Sequence, residues 1–336
     1  MLKWEIKKIL KDKSSIITLL LMILLFIQIS FMKPMLETQH EYVNEKTNEY
    51  VVDNRSKDVI ANENLKQKVN SIKLMSDLSY NNNKSLIDIS KEKLSLDKGS
   101  KYEKVDFYKV WIYRLDFSLS IMIMLIIIVM LVSNSYTDEV VSNTSPIILS
   151  SKEKNKVLYS KIGLSILIPV LMYGLYIGGT WLITYMQYGA PLNENLQAYR
   201  ICDVAVLAKA ITINQFALIK ILTTSLMLIG ISTVSMLISF LSDNSVKSIG
   251  LTVGFVVLGK VLTVFKFLPK FVIGLLSANY IDVITGMCQI SGVYNGNIYI
   301  LSKSVDVSNL SISMYGLIVV FGILGSTYTI KKVLTK

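Results

Sequence analysis

Apolar residues along this chain come in long blocks separated by polar crossings. Six blocks approach or exceed the ~18 residues that carry a helix across roughly 30 Å of hydrocarbon. They cover residues 14–32, 116–134, 161–187, 213–241, 248–265 and 311–330, and each predicts a transmembrane helix. Between the first two lies a water-soluble stretch, 33–115, in which Leu65, Val69, Ile72 and Met75 recur at helical spacing and Leu78 continues the stripe. At roughly 80 residues it is marginal for an independent core, so a mostly helical lobe resting on the membrane or on a partner is expected. Ahead of the first block, residues 1–13 place Leu2, Ile6, Ile9 and Leu10 on one helical face, with Trp4 nearby and lysines opposite. That is the pattern of a helix half-sunk at headgroup level.

The remaining segments are a polar crossing at 135–160, a loop at 188–212, a tight turn at 242–247, a mixed segment at 266–310 and a tail at 331–336. The mixed segment holds Pro269, several glycines and an apolar piece at 271–284 too interrupted to span. It reads as helices that dip into the outer leaflet and return, which is tolerated where protein buries the backbone. The expected fold is an all-α polytopic membrane protein: six transmembrane helices, an outward-facing, mostly helical lobe between helices 1 and 2, and a re-entrant outer segment before helix 6.

Charge sets the orientation. Lys3, Lys7, Lys8, Lys11 and Lys13 precede the first span, and Lys331, Lys332 and Lys336 follow the last. The positive-inside rule then places both termini in the cytoplasm, which requires an even number of spans. The formal net charge of +11 fits a membrane surface; no basic-aromatic module points to nucleic acid. Gln28–Pro34 offers no small-x-small cleavage pattern, so the first span reads as uncleaved. Trp111 and Tyr113, with Trp181, Tyr185 and Tyr188, mark the outer interface.

Reactive chemistry is sparse. His40 is the only histidine and falls in the lobe, away from any span. Gly254-Phe-Val-Val-Leu-Gly259-Lys260-Val261 imitates a phosphate loop, but Val261 stands where Mg²⁺ needs a hydroxyl, and the stretch is inside an apolar span. No metal, nucleotide or other cofactor is expected on this chain. Cys202 and Cys288 both fall in outward segments without metal-ligand spacing, and read as two unpaired thiols rather than a disulfide. Lys220, Lys260 and Lys266 are candidates for a route attractive to acidic groups, with snorkelling anchors as the plainer account. Gly174-x-x-x-Gly178 and Gly250-x-x-x-Gly254 allow close helix approach, within one subunit or between two.

A family resemblance emerges from three places. Residues 1–13 are similar to an inner-surface elbow helix. Asp138-Glu139, Asn143-Thr144, Ile147-Ile148-Leu149, Ser150-Ser151-Lys152 and Lys161 follow an acidic–small-Thr–apolar–Ser-basic–Lys pattern. The interrupted outer segment is similar to a pair of re-entrant helices. Together these resemble permease subunits of ABC-2 type transporters, and the lobe resembles the branch that exports amphipathic peptides such as phenol-soluble modulins from Gram-positive bacteria. Asn143 departs from the family's usual glycine, but Asn tolerates the left-handed conformation a bend would need.

The resemblance implies a transport subunit in the cell membrane, not an enzyme. It would work as a dimer with a second permease subunit, in membrane lipid, driven by a cytoplasmic ABC ATPase that binds the ATP and Mg²⁺. Asn143, Thr144 or Ser145 would cap a short coupling helix begun at Pro146. Ile147, Ile148 and Leu149 would enter the ATPase, with Glu139, Lys152 and Lys154 making polar contacts. A non-transporting sensor or immunity protein that binds peptide through the lobe, and a lipid or ion transporter, are the alternatives.

Overall fold

The computed structural model describes residues 2–43, 50–77, 84–96, 101–202, 207, 209–265, 272, 276, 279–285, 292–294, 297–300 and 303–334. It begins with α1 (Leu2–Lys11), which leads into α2 (Lys13–Phe31). A small antiparallel hairpin follows, β1 (Glu41–Val43) with β2 (Tyr50–Val52). Next come α3 (Lys57–Ser76), α4 (Lys84–Leu96) and α5 (Asp106–Leu115).

The membrane-length helices continue with α6 (Ser118–Val141), α8 (Lys154–Tyr188), α9 (Ile213–Phe240) and α10 (Ser245–Thr263); the short α7 (Ser145–Ser150) sits between α6 and α8. The chain then forms α11 (Tyr280–Thr285), a second hairpin of β3 (Asn297–Ile300) and β4 (Lys303–Asp306), and α12 (Val307–Thr329). Among the described residues six helices are long and apolar enough to cross a membrane, which bears out the polytopic α-helical reading. The two hairpins are additions that the sequence reading lacked. Much of 266–310 lies outside the described residues, so its re-entrant reading stays an expectation.

Local signals explain several boundaries. Thr212 and Gln215 form a reciprocal capping box at the start of α9, and Asn244 accepts from the Lys247 amide to start α10. Pro169 is carried inside α8, as membrane helices tolerate when neighbours satisfy the freed carbonyl. α6 runs on to Val141 and α8 starts at Lys154, so both spans project as helix into the 135–160 crossing, because no breaker intervenes before Asn143.

α6 and α9 form the centre: 61% of each apolar window is buried, against 22% for α2 and 17% for α10. The glycines that permit close packing are not the expected ones. A Cβ at Gly322 would strike Thr233 at 2.6 Å and one at Gly325 would meet Leu237 at 2.8 Å, which seats α12 on α9. Gly174, Gly178, Gly250 and Gly254 instead meet nothing within 4 Å. Among the described residues their motifs therefore make no helix contact; they lie on open faces.

Candidate functional site

The chain's most unusual construction surrounds the crossing from α6 to α8. α6 ends in a Schellman arrangement. Asn143 takes a positive φ of 55°, its amide donates to the Val140 carbonyl at 3.1 Å, and the Thr144 amide donates to the Glu139 carbonyl at 2.9 Å. The Thr144 hydroxyl reaches the same carbonyl at 3.3 Å, while Ser142 Oγ donates to the Asp138 carbonyl at 2.6 Å. The helix-end carbonyls that would otherwise lack partners are thereby satisfied.

This corrects the expected cap. Thr144 makes no side-chain bond to α7; it closes α6 instead. Pro146 does fall in the first turn of α7, where its missing N–H is harmless.

No residue of α7 is buried. Ile147 is 69% exposed, Pro146 and Lys152 are also exposed, and Ile148 and Leu149 are half-buried. Leu149 leans on the core, so the three apolar side chains do not share one environment. The 242–247 turn stands beside this segment: Ser245 Oγ donates to Asp138 Oδ1 at 3.2 Å and lies 3.0 Å from Thr137 Oγ1. It adds Val246, 82% exposed, to the same end of the molecule. In this turn Lys247 donates to Asp243 and holds its carboxyl below the usual range.

Behind the exposed segment lies a buried ionic cluster. Lys161 is fully buried at the first turns of α8, and its three ammonium protons have three acceptors: Glu5 Oε2 at 2.8 Å, Glu139 Oε1 at 2.8 Å and the Ser135 carbonyl at 2.7 Å. Lys8 Nζ also donates to Glu139 Oε1, at 2.8 Å. Glu139 is therefore not a surface contact, as the sequence reading had it. It is buried, and it ties α1, α6 and α8 together while its own carbonyl holds the start of α7.

Of the lysines assigned to a route, Lys220 departs from the snorkelling account. Lys220 does not snorkel; it is buried and its Nζ lies 2.7 Å from Asp116 Oδ2. Lys260 pairs with Asp282 at 2.5 Å, half-exposed. Lys266 and Cys288 fall outside the described residues; Cys202 is half-buried.

Glu5 and Asp116 are the residues that sequence reasoning missed. A single acid among the lysines of α1, and an acid opening α6 at the depth Lys220 reaches from the other chain direction, were the available signals. Comparison with family models, curated proteins and solved structures returns no match.

Proposed function

We propose that this chain is the membrane-spanning permease subunit of an ATP-binding-cassette exporter, moving an amphipathic substrate, a peptide by resemblance, out of the cell. A separate cytoplasmic ATPase supplies the energy, and a second permease subunit completes the pathway. Both termini, α7 and the 242–247 turn face the cytoplasm in this reading.

One observation carries it. A short helix with no buried residue and a bare isoleucine is held by a clamp that reaches three other helices. Leaving apolar side chains in water at a fixed position is unfavourable unless a partner covers them. A partner that pushed on α7 would act on Glu139 through its carbonyl, and through the Glu139 carboxylate on α1 and α8. Coupling here is a direct mechanical linkage and requires no chemistry from the chain itself.

The test is co-expression with the ABC ATPase encoded nearest to the chain. Ile148→Asp is expected to abolish ATPase co-purification and export while membrane insertion is intact. Retained co-purification counts against the assignment.

A further inference from the structure

Consecutive residues at the end of α6, Thr137 to Val140, hold two separate elements. Thr137 Oγ1 lies 3.0 Å from Ser245 Oγ, which also donates to Asp138 Oδ1 at 3.2 Å, so both tie down the 242–247 turn. The next two carbonyls, of Glu139 and Val140, accept from the Thr144 and Asn143 amides and set the start of α7. The turn and α7 are far apart in sequence, yet one stretch of helix fixes them relative to each other.

Each element carries an exposed apolar side chain. Ile147 on α7 is 69% exposed and Val246 beside the turn is 82% exposed. Val141, 62% exposed, lies one helical turn beyond Thr137 and Asp138 on the helix that holds both. Acyl chains do not account for Val246. It stands in sequence between Asp243 and Lys247, whose well-exposed side chains pair at 2.8 Å. Charges avoid the bilayer interior, so this pair marks the edge of the hydrocarbon, with Val246 on its turn side. The pair also leaves no uncompensated charge beside Val246 to be stripped of water when a partner covers it. Around α7 the balance differs. Glu153 pairs with Lys156 at 2.7 Å, whereas Lys152 and Lys154 have no carboxylate partner among the described residues.

We infer that the 242–247 turn is a second foothold for the ATPase that docks on α7. One ATPase subunit covers Ile147, Val141 and Val246 together, with an apolar surface whose α7 side is rimmed by carboxylates. This second foothold presupposes the ATPase reading of α7. A partner held by one short helix is free to pivot about it. A second contact off that axis turns rotation of the ATPase into rotation of α6, one of the two central helices. The rim carboxylates meet the ammonium groups of Lys152 and Lys154. A second copy of the chain presenting this same surface would bring like charge against them, which is unfavourable.

The test titrates the ABC ATPase encoded nearest to the chain onto the full permease in nanodiscs, for the parent, Val246→Asp, Ile147→Asp and Lys152→Glu. Val246→Asp is expected to weaken ATPase binding about tenfold, with an unchanged thermal midpoint because the side chain is exposed. Lys152→Glu is expected to weaken binding severalfold and to flatten its salt dependence. Binding lost in Ile147→Asp but unchanged in Val246→Asp overturns the second foothold and leaves the α7 reading intact. Binding unchanged in both removes the ATPase reading itself, and the foothold with it. A Lys152→Glu permease with parental binding and salt dependence overturns the acidic rim. A photoreactive benzophenone residue in place of Val246 repeats the test without adding charge. Crosslinking to the ATPase supports the foothold, whereas crosslinking to lipid or to a second permease copy overturns it.

Discussion

α6 meets charge at both of its ends, and the two ends are built differently. At the lobe end, Asp116 pairs with the buried Lys220, and Arg114 donates to the Met32 carbonyl, Thr184 and Gln187. Phe107, Tyr108 and Trp111 beside them are buried, while Phe31 and Met186, next in sequence to Met32 and Gln187, are 82% and 85% exposed at the ends of the membrane-length helices α2 and α8. At the other end the clamp is at least as dense, with Lys161 held by two carboxylates and a carbonyl, yet Val141, Ile147 and Val246 around it stand exposed. Burying charge is expensive and secures geometry more than stability. At the lobe end the most exposed apolar side chains belong to membrane-length helices, whereas at the α7 end Ile147 stands exposed on a six-residue helix with no buried residue. That isolated helix sets the two ends apart.

Breaking the α7-end clamp should have the largest effect. Lys161→Met leaves the buried Glu5 without its cation and Glu139 with Lys8 alone, and is expected to cost about 3–5 kcal/mol of stability. Thermal unfolding of the purified protein in detergent reads this directly. Adding Glu139→Gln to Lys161→Met should recover part of the loss, because Glu5 then no longer faces a second carboxylate across the vacated lysine position. A double variant no more stable than the single one would show that the cluster is not an electrostatic unit.

At the lobe end the equivalent change leaves one carboxylate, Asp116, rather than two acids that shared a lysine. Lys220→Met is expected to cost about 2–3 kcal/mol, with Asp116→Asn in the same chain restoring most of it. Equal losses at the two ends would erase the asymmetry of construction. So would retained unfolding cooperativity of the α1 region in Lys161→Met.

The contrast also explains what could be read from the residues alone. Span number, the N-terminal helix and the short helix at Pro146 follow from apolar run length, helical periodicity and a proline, each a property of neighbours in sequence. The partners of Lys161 and Lys220 do not, because Glu5 and Asp116 are more than a hundred residues away from them and only packing decides which acid meets which lysine. Glu139 shows the limit most clearly. Its place in a polar crossing suggested a surface contact, but α6 continues as helix past the expected boundary and carries the side chain inward. The glycine motifs show a related limit: spacing defines a smooth helix face but not whether the neighbour against it comes from the same chain, and here none does among the described residues.

Between clamp and bare surface stands Asn143, and its substitution separates the two. Asn143→Ala forces a Cβ-bearing residue without local hydrogen-bonding capacity into the left-handed region, for an expected loss of about 1 kcal/mol. Asn143→Gly should stay within a few tenths of a kcal/mol of the parent, since glycine adopts that conformation freely. If both substitutions are neutral in thermal unfolding, the bend at the end of α6 is not holding α7 in place.

The smallest effect on stability belongs to the residue with the most direct role in the proposal. Ile147 is exposed and Leu149 leans on the core, two positions apart on one six-residue helix. Ile147→Asp should leave stability within about 0.5 kcal/mol, as surface substitutions do, because the side chain exchanges one solvated state for another. Leu149→Asp should destabilise measurably by carrying a charge against apolar packing. If docking on α7 is the function of this end, the order reverses when ATPase retention is measured. Ile147→Asp then loses the partner from a fully folded permease, whereas a surface side chain of no function would leave both measurements unchanged. A silent Ile147→Asp in both assays leaves the bare face unexplained by an ATPase and removes the distinction between the two ends of α6.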